Sequence, residues 1–343
     1  MKRGTLINRL AAGAVIAVSL PMFLAGCRKE LCYNHYRAVN VNAAWESVWE
    51  RDYGRKWVLS WDAARWEHEY SEFLPGIPEG MTMLLYEDGK ESSKTFFGPE
   101  GGEFMINEGR HSLLLYNNDT RYIVFDDLAS APSAKASTTT RTRSSLKELH
   151  EGERTINPPD VLYGAFIQDI PEVQLHECHN ADVTMRPLVY TYLVRFGIDK
   201  GAEYVSLARG ALAGMAESVM LRDGSTSEAT ATILFDCVVK EWGAEADVRS
   251  FGIAGFPDKY YGRAAGREGE GRYTLNLEIL LRNGRMISFN FDVTDQMADQ
   301  PRGGVIDVGG IELGDEDISN GSGFDVNVSD WGEYEDIDLP IVQ

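Results

Sequence analysis

A group of potential metal ligands occurs at His176-Glu177-Cys178-His179. Imidazole and thiolate groups are the ligands that zinc prefers, and a structural zinc site usually combines two such pairs at a characteristic spacing. No second Cys/His pair stands at that spacing, and the sequence has no HExxH motif. The pattern therefore predicts no metal site.

The residue patterns that catalysis usually requires are also missing. The six histidines are scattered, and there is no GxSxG nucleophile motif, no phosphate-binding P-loop and no dinucleotide-binding GxGxxG. The 53 acidic residues are so numerous that no pair stands out as a general acid and base. We therefore expect a protein that is not an enzyme and that uses no cofactor.

Residues 1–26 have the composition of a secretion signal. Three basic residues, Lys2, Arg3 and Arg9, precede the apolar run 10–24. This run is shorter than the roughly 20 apolar residues that a membrane-spanning helix needs, and Pro21 interrupts it. We expect the segment to be removed rather than to remain in the membrane.

Cys27 directly follows Leu24-Ala25-Gly26. This sequence resembles the lipobox of bacterial lipoproteins, in which the cysteine receives a thioether-linked diacylglycerol and becomes the first residue of the mature chain. Each buried CH2 of an acyl chain contributes about 0.8 kcal/mol, and more than one chain gives stable anchoring. The resemblance implies lipid attachment at Cys27. The alternative is an ordinary signal peptide that happens to end before a cysteine.

Lipidation of Cys27 would leave three cysteines, Cys32, Cys178 and Cys237. Three thiols cannot all pair, and an exported protein usually forms disulfides where it can. Cys237 lies at an apolar position of an expected strand, so we expect it to be the buried free thiol. A disulfide between Cys32 and Cys178 is then a possibility that the sequence cannot fix.

The charge balance excludes one class of partner. Loss of residues 1–26, which carry three bases and no acid, changes the formal net charge from −20 to −23. Such a chain repels nucleic acids and anionic lipid surfaces. We therefore expect membrane contact only through acyl chains and no nucleic-acid partner.

Short strands dominate the rest of the sequence. Alternating apolar residues or short apolar runs indicate strands at 39–45, 81–86, 95–97, 103–106, 111–116, 122–125, 162–167, 188–196 and 233–239. The pattern predicts an all-β protein. We place a domain boundary at the turn that follows Arg222, which gives an N-terminal domain of residues 27–222 and a C-terminal domain of residues 223–343.

The clearest local pattern is a hairpin on either side of Asn283-Gly284. Its strands present the apolar residues Leu275, Leu277 and Ile279, then Ile287, Phe289 and Phe291. A two-residue turn would put these two sets on opposite faces, whereas a three-residue loop, 282–284, sets Ile279 opposite Ile287. We therefore predict the longer loop, with Gly284 in a left-handed conformation.

A tryptophan-rich segment runs from Trp45 to Trp66. Aromatic residues recur there every four positions, which predicts a helix, interrupted at Gly54, with its rings on one face. Packing of these rings against their own domain is the simpler interpretation, because large aromatic side chains mostly supply buried area. In the alternative interpretation, Trp57 and Trp61 stack on sugar rings.

Two segments lack any apolar periodicity. Residues 129–145 are rich in Ala, Ser and Thr, and we expect a mobile loop in which Arg141 and Arg143 are accessible to proteases. The C-terminal residues carry many carboxylates but lack the twelve-residue spacing of an EF-hand. We expect a solvated acidic tail there.

Six segments carry a recognisable combination of residues: Leu31-Cys32-Tyr33-Asn34-His35, Glu50-Arg51-Asp52-Tyr53-Gly54, Pro78-Glu79-Gly80-Met81, Asn157-Pro158-Pro159-Asp160, Ala211-Leu212-Ala213-Gly214-Met215-Ala216 and Asp330-Trp331. Together they resemble the fimbrillin-like lipoproteins of Bacteroides-type bacteria. The resemblance implies two tandem transthyretin-like Greek-key β-sandwich domains, attachment to the outer membrane and a role like that of fimbrial anchor or minor subunits.

Two functions follow as hypotheses. The first is a lipid-anchored structural or adhesive protein that binds other fimbrial subunits through β-strand contacts, which an exposed sheet edge makes available. The second is a surface glycan-binding lipoprotein that uses the tryptophan-rich segment. Neither function requires a reactive side chain.

Overall fold

The computed structural model describes residues 37–52, 56–143, 147–261, 273–319, 331 and 333–337. The signal segment, Cys27 and Cys32 therefore lie outside the described residues. Within the described ranges, no helix combines the length and the apolar character needed to cross a membrane.

The first large sheet has seven strands. They are β1 (Ala38–Trp45), β2 (Met81–Glu87), β3 (Lys90–Phe97), β4 (Gly101–Met105), β5 (His111–Asn117), β10 (Tyr163–Ile170) and β11 (Cys178–Pro187). Their spatial order is β3-β2-β5-β10-β11-β1-β4. The N-terminal strand β1 is thus an interior strand, which pairs in parallel with β11 and antiparallel with β4.

The second large sheet contains β12 (Tyr190–Lys200), β13 (Val205–Ala216), β15 (Thr230–Lys240), β16 (Gly243–Ser250), β17 (Thr274–Leu281), β18 (Met286–Asp292) and β19 (Gly304–Glu312). Their order is β18-β17-β13-β15-β16-β12-β19. Three short strands extend it beside β15, namely β8 (Thr140–Thr142), β9 (Arg154–Ile156) and β20 (Glu335–Ile337).

A small third sheet and several short helices complete the described fold. The sheet consists of β6 (Ile123–Asp126), β7 (Lys135–Thr138) and β14 (Ser218–Met220). The α-helices are α1 (Trp57–Ser60), α2 (Ala63–Trp66), α3 (Asp258–Tyr261), α4 (Thr294–Met297) and α5 (Asp315–Ser319), and the 3-10 helices are Tyr70–Phe73 and Ala202–Tyr204. The expectation of an all-β protein with two sheet domains is confirmed.

The division between the two large sheets differs from the expected boundary. The first sheet ends with β11 at Pro187, and β12 of the second sheet begins at Tyr190. The turn after Arg222, where the sequence suggested the boundary, instead lies between β14 and β15. Residues 190–216 belong with the second sheet because β12 and β13 pair there with β16, β19, β15 and β17.

Each sheet has its own core, and a third apolar cluster joins them. The core of the second sheet includes Phe196, Leu212 and Leu277, while that of the first includes Met83 and Leu115. The joining cluster combines side chains of the first sheet, the second sheet, the small third sheet and adjacent loops: Leu84, Tyr86, Leu114, Ala134, Ala136, Leu188, Ala216, Val219 and Phe251. The joining cluster uses Leu84 and Leu114, which alternate along β2 and β5 with the core residues Met83 and Leu115, so the second sheet packs on the opposite face of the first sheet from that core.

The expected hairpin register is confirmed. Ile279 pairs with Ile287, Leu277 with Phe289, and Leu275 with Phe291. The Leu281 N–H donates to the Arg285 carbonyl across the three-residue loop, and Gly284 has a φ of +84°. The alternation of apolar residues and the need for one buried face were sufficient to determine this register.

The expectation of a mobile loop at residues 129–145 is wrong for its described part. Residues 135–138 form β7 and residues 140–142 form β8, while Ala134 and Ala136 are fully buried. The side chain of Arg143 is also buried, which removes the accessible protease site expected there. Small residues produce no apolar periodicity, yet they fit a strand packed closely against larger side chains such as Phe125.

The C-terminal residues are not simply a solvated tail. Glu335–Ile337 form β20, which pairs antiparallel with β8. The Asp336 carboxylate accepts hydrogen bonds from Arg141 at 2.9 and 3.5 Å. At least one acidic residue of this segment, Asp336, is thus bound to a basic residue of the folded domain, Arg141.

Candidate interaction surfaces

The tryptophan-rich segment forms a compact aromatic cluster rather than one helix. Between β1 and β2 the described chain contains only α1, α2 and the 3-10 helix Tyr70–Phe73, each four residues long. The single helical face expected from the four-residue spacing is therefore wrong. The rings nevertheless meet, because tertiary packing brings together aromatic side chains from separate turns.

We define the aromatic cluster as Trp49, Trp57, Trp61, Trp66, Tyr70 and Phe73. Trp61 lies at its centre, with ring centroids 5.5–6.2 Å from those of its five partners. The cluster packs on Leu193 of β12 and Val305 of β19, which belong to the second sheet. Because the preceding strand β1 belongs to the first sheet, the aromatic cluster fastens one sheet to the other.

Trp57 and Trp61, the rings considered for sugar contact, are half-buried within this cluster. The Trp61 indole N–H donates to the His68 carbonyl at 2.8 Å, and the Trp57 indole N–H donates to Gln300 Oε1 at 3.3 Å. Both rings therefore have packing partners and hydrogen-bond acceptors inside the protein. Their use in glycan binding stays a prediction.

Polar contacts complete the attachment of the aromatic cluster. His68 lies between two carboxylates, with Nδ1 2.9 Å from Glu72 Oε2 and Nε2 3.1 Å from Glu245 Oε1 on β16. Burial alone would lower the pKa of His68, but the hydrogen bonds with both carboxylates outweigh it and raise the pKa. Nearby, the Arg195 guanidinium stacks on Trp242 at 4.0 Å and donates to the Arg65 carbonyl.

A second set of contacts holds the C-terminal residues against the outer face of the second sheet. The Arg209 guanidinium lies 4.1 Å from the centroid of Trp331, and Arg143 donates to the Tyr334 hydroxyl at 3.3 Å. Beneath them, Glu278 is ion-paired with Arg209 at 3.0 Å and with Arg143 at 3.5 Å. Burial, then the neighbouring Arg143, lowers the pKa of Arg209, and Glu278 only partly offsets this.

A hydrogen-bonded chain of side chains fixes the segment that leads into β9. His150 contacts Glu153 through Nδ1 at 3.1 Å and Thr274 through Nε2 at 3.0 Å. The Glu153 carboxylate also accepts hydrogen bonds from the Thr232 hydroxyl and from the Gly214 N–H, where β13 bulges. The Glu153 carboxylate therefore satisfies donors of β13 and β15 in the second sheet, as a buried polar group usually does.

The first half of the outer edge of β19 is covered by side chains. Gln296 of α4 and the nearby Gln300 lie alongside it. Gln296 donates to the Asp307 carbonyl and accepts from the Asp307 N–H, at 3.0 and 2.9 Å. Gln300 makes the equivalent pair of bonds with Val305. The two carboxamides thus occupy backbone positions that a neighbouring strand would use.

The remaining residues singled out from the sequence do not converge on one site. His176, Glu177, Cys178 and His179 lie at the start of β11, and the described residues contain no group of three or more ligand-type side chains arranged for a metal ion. Cys178 is exposed and Cys237 is half-buried, the two form no disulfide with a described cysteine, and burial raises the pKa of Cys237. Cys32, the possible partner of Cys178, lies outside the described residues.

Residues 69–236 match DUF5119, described as a domain of unknown function. The match includes most of the first sheet and extends through β12 and β13 into β15. Its span crosses both the division between the large sheets and the boundary expected after Arg222.

Among curated proteins, the chain is similar to "Putative fimbrium anchoring subunit Fim4B" of Bacteroides ovatus. The two are 22% identical over 218 residues, which cover 62% of this chain and 56% of the relative. The match thus spans little more than half the length of that protein. The resemblance to fimbrillin-like proteins stated from the sequence is confirmed as a similarity.

Among solved structures, the chain is similar to a putative adhesin from Bacteroides ovatus, with a TM-score of 0.56 and 20% identity over 84% of this chain and 97% of the other. This likeness shows the fold. The fimbrial anchor protein Mfa2 from Porphyromonas gingivalis also matches, with a TM-score of 0.44 and 12% identity over 80% of this chain and 90% of the other.

Proposed function

We propose that this chain is a lipid-anchored outer-membrane surface protein that serves as an anchoring or adhesive subunit of a fimbrium. In this proposal it binds other subunits through β-strand contacts and catalyses no reaction. The similarity to a fimbrium anchoring subunit and the shared fold of an adhesin support it. Strand β1, held on both sides, carries the structural argument.

Strand β1 is suited to carry load from an N-terminal attachment. All eight of its residues are in register with β11, and five of them are also in register with β4. A pull on Arg37 along the strand would have to shear both ladders together, and each backbone hydrogen bond contributes about 1 kcal/mol to stability. An interior strand resists such a pull better than an edge strand would.

The continuation of β1 spreads this load to the second sheet. Four residues after β1 ends, the Trp49 carbonyl accepts a hydrogen bond from Thr191 of β12. Arg302 then binds the Asp52 carboxylate and stacks on Phe256 at 4.3 Å. Cys27 lies ten residues before Arg37. In the proposed role, a lipid attached there would hold both sheets through β1 and the segment that follows it.

The test is replacement of the acceptor cysteine in the bacterium that carries the gene. In a Cys27→Ser strain we expect no palmitate labelling, loss of the protein from the outer-membrane fraction and detached or missing surface appendages in electron micrographs. Cys32→Ser is the matched control, because it removes a nearby thiol outside the lipobox. Normal membrane retention of Cys27→Ser, or unchanged appendages after deletion of the gene, would contradict the proposal.

A further inference from the structure

The two large sheets offer four edge strands, and three of them are protected against pairing. The first half of the β19 edge is covered at Val305 and Asp307 by Gln300 and Gln296, and its second half contains Gly309 and Gly310. Strand β3 is exposed along most of its length, and its charged residues Lys90 and Lys94 disfavour pairing with another strand. Strand β4 has only five residues, begins with two glycines and joins β3 through the tight turn at Gly98. Lysines, short strands and covering groups are the usual protection of a sheet edge.

The fourth edge, β18, has none of these protections. Its sequence Met286-Ile287-Ser288-Phe289-Asn290-Phe291-Asp292 contains no Lys, Arg, Pro or Gly. It pairs with β17 alone and ends the sheet order. Leu281 and Arg285 are joined by a backbone hydrogen bond, and so are Tyr273 and Val293. These two bonds determine which residues of β18 bond to β17 and which alternate residues do not. The backbone groups of Ser288 and Asn290 therefore point away from β17, and no described strand lies on that side.

The core-facing residues of β18 are incompletely covered. Ile287, Phe289 and Phe291 are half-buried, whereas their cross-strand partners on β17 are fully buried. The two rows lie on the same face of the sheet, so the difference arises from the missing neighbour on the outer side of β18. An added strand would cover these three side chains and also pair with the free backbone groups.

We infer that the β18 edge is a docking site for an extended strand of another protein, with alternating apolar residues and basic residues between them. This inference rests on the proposed function and specifies where a partner subunit binds. The charge of the occupant follows from the surroundings. Strand β18 itself carries no cation, and Arg285 just before it is already ion-paired with Asp317 at 3.0 Å. Lys147 and Glu148, which lie beside Ser288 and Asn290, offset each other in charge. The exposed Asp295 lies beyond the end of the strand, and the mature chain has a net charge of −23.

The same charge disfavours a second copy of this chain as the occupant, because two mature molecules of charge −23 repel each other. A basic strand instead gains both main-chain hydrogen bonds and electrostatic attraction. Apolar residues at alternate positions would meet Ile287, Phe289 and Phe291. The intervening basic residues would lie on the face that carries Ser288 and Asn290.

The experiment uses the mature chain, residues 27–343, as Cys27→Ser so that no detergent is needed. The probe is a capped peptide of the repeating sequence Lys-Val-Thr-Val, and the control peptide carries Glu in place of Lys. Amide hydrogen exchange is followed residue by residue. We expect the Lys peptide to slow exchange at Ser288 and Asn290 at least tenfold, with no change at Ser93 of β3, and the Glu peptide to have less effect.

A pair of variants separates backbone pairing from other contacts. Ser288→Pro removes the outward N–H, while Ser288→Ala removes only the hydroxyl that accepts from Asn276. The peptide should bind Ser288→Ala normally and Ser288→Pro at least tenfold more weakly. The wild-type exchange measurement remains decisive if Ser288→Pro does not fold.

Three results would overturn the inference. They are unchanged exchange at Ser288 and Asn290 with the peptide, equal binding to both variants, and slow exchange at these amides before any peptide is added. The last result would mean that a second copy or another part of this chain already covers the edge. None of these results depends on lipid attachment, so the inference and the proposed function can fail separately.

Discussion

The side chain of Gln300 pairs with the backbone of Val305 as a neighbouring strand would. Its Nε2 donates to the Val305 carbonyl at 2.8 Å, and its Oε1 accepts from the Val305 N–H at 2.6 Å. Gln296 repeats this arrangement two residues further along, at Asp307. The second sheet thus has one edge partly covered by carboxamides and one edge, β18, without such a cover among the described residues.

Replacement of Gln296 should open the β19 edge without disturbing the core. We expect Gln296→Ala to lose two hydrogen bonds, about 1–2 kcal/mol of unfolding free energy. We also expect amide hydrogen exchange at Asp307 to become at least tenfold faster, because its backbone N–H then faces water. Hydrogen exchange and chemical denaturation measure the two effects. The exposed Gln174→Ala is the matched control, and unchanged exchange at Asp307 in Gln296→Ala would contradict this prediction.

The contact of His68 with Glu72 and Glu245 predicts a pH dependence. Because the pKa of His68 is raised above its ordinary 6.5 in the folded state, the protonated imidazole stabilises the fold. This contribution is complete below pH 6.5 and is lost as the pH rises through the folded-state pKa. Urea unfolding at pH 6 and at pH 8.5 should therefore show a larger loss of stability in wild type than in His68→Gln. Parallel losses in both proteins would count against the assignment.

Glu278 is the carboxylate that the buried Arg209 and Arg143 share. We expect Glu278→Gln to cost about 3–5 kcal/mol of unfolding free energy, because it removes the carboxylate that two buried guanidinium groups share. Chemical denaturation measures the loss. The exposed Glu312→Gln removes the same charge from β19 and should change stability by less than about 0.5 kcal/mol. Equal losses of unfolding free energy in the two variants would show that the ion pairs of Glu278 with Arg209 and Arg143 add no more stability than an exposed carboxylate does.

Trp61 is the centre of the aromatic cluster, so Trp61→Ala should destabilise the protein by about 3–5 kcal/mol. Trp57→Ala should have a smaller effect, because Trp57 lies at the outer side beside the exposed Val58 and Leu59. Thermal unfolding compares the two. Isothermal titration with polysaccharides tests the glycan alternative, which would gain support only if Trp57→Ala abolished micromolar binding while unfolding stayed unchanged.

The hairpin loop gives a further test of local geometry. Gly284 has a φ of +84°, so Gly284→Val should cost about 1–3 kcal/mol through backbone strain. Asn283→Ala should also be costly, because the Asn283 amide donates to the carbonyls of Asp317 and Ile318. Equilibrium unfolding ranks the two variants. Equal stability of Gly284→Val and wild type would show that this left-handed position tolerates a side chain.

Elements differ in how strongly their own residues indicate the structure they adopt. Alternating large apolar residues made the β17–β18 register predictable, since one buried face allows only one pairing. The signal was absent at residues 135–138, where the small side chains of Ala136 and Thr138 are the buried ones. The role of Asn283 in holding α5 was also missed, because that contact joins residues 34 positions apart.

The candidate interaction surfaces were less accessible to sequence reasoning than the fold. Nothing local distinguishes Gln296 and Gln300 from other polar surface residues, since their function depends on the later strand β19. The one available signal was their spacing of four residues next to a helix, which places two carboxamides on one side. For β18, the sequence showed a strand but not that it would end the sheet.

The aromatic cluster limits how this chain can be divided for experiments. A fragment that stopped at Pro187 would retain six aromatic rings but lose Leu193 and Val305, on which they rest. Such a fragment would expose the apolar side of the aromatic cluster to water, and we expect it to aggregate during expression. Useful cloning boundaries therefore lie outside the pair of sheets, and unfolding experiments on the whole chain should show a single cooperative transition.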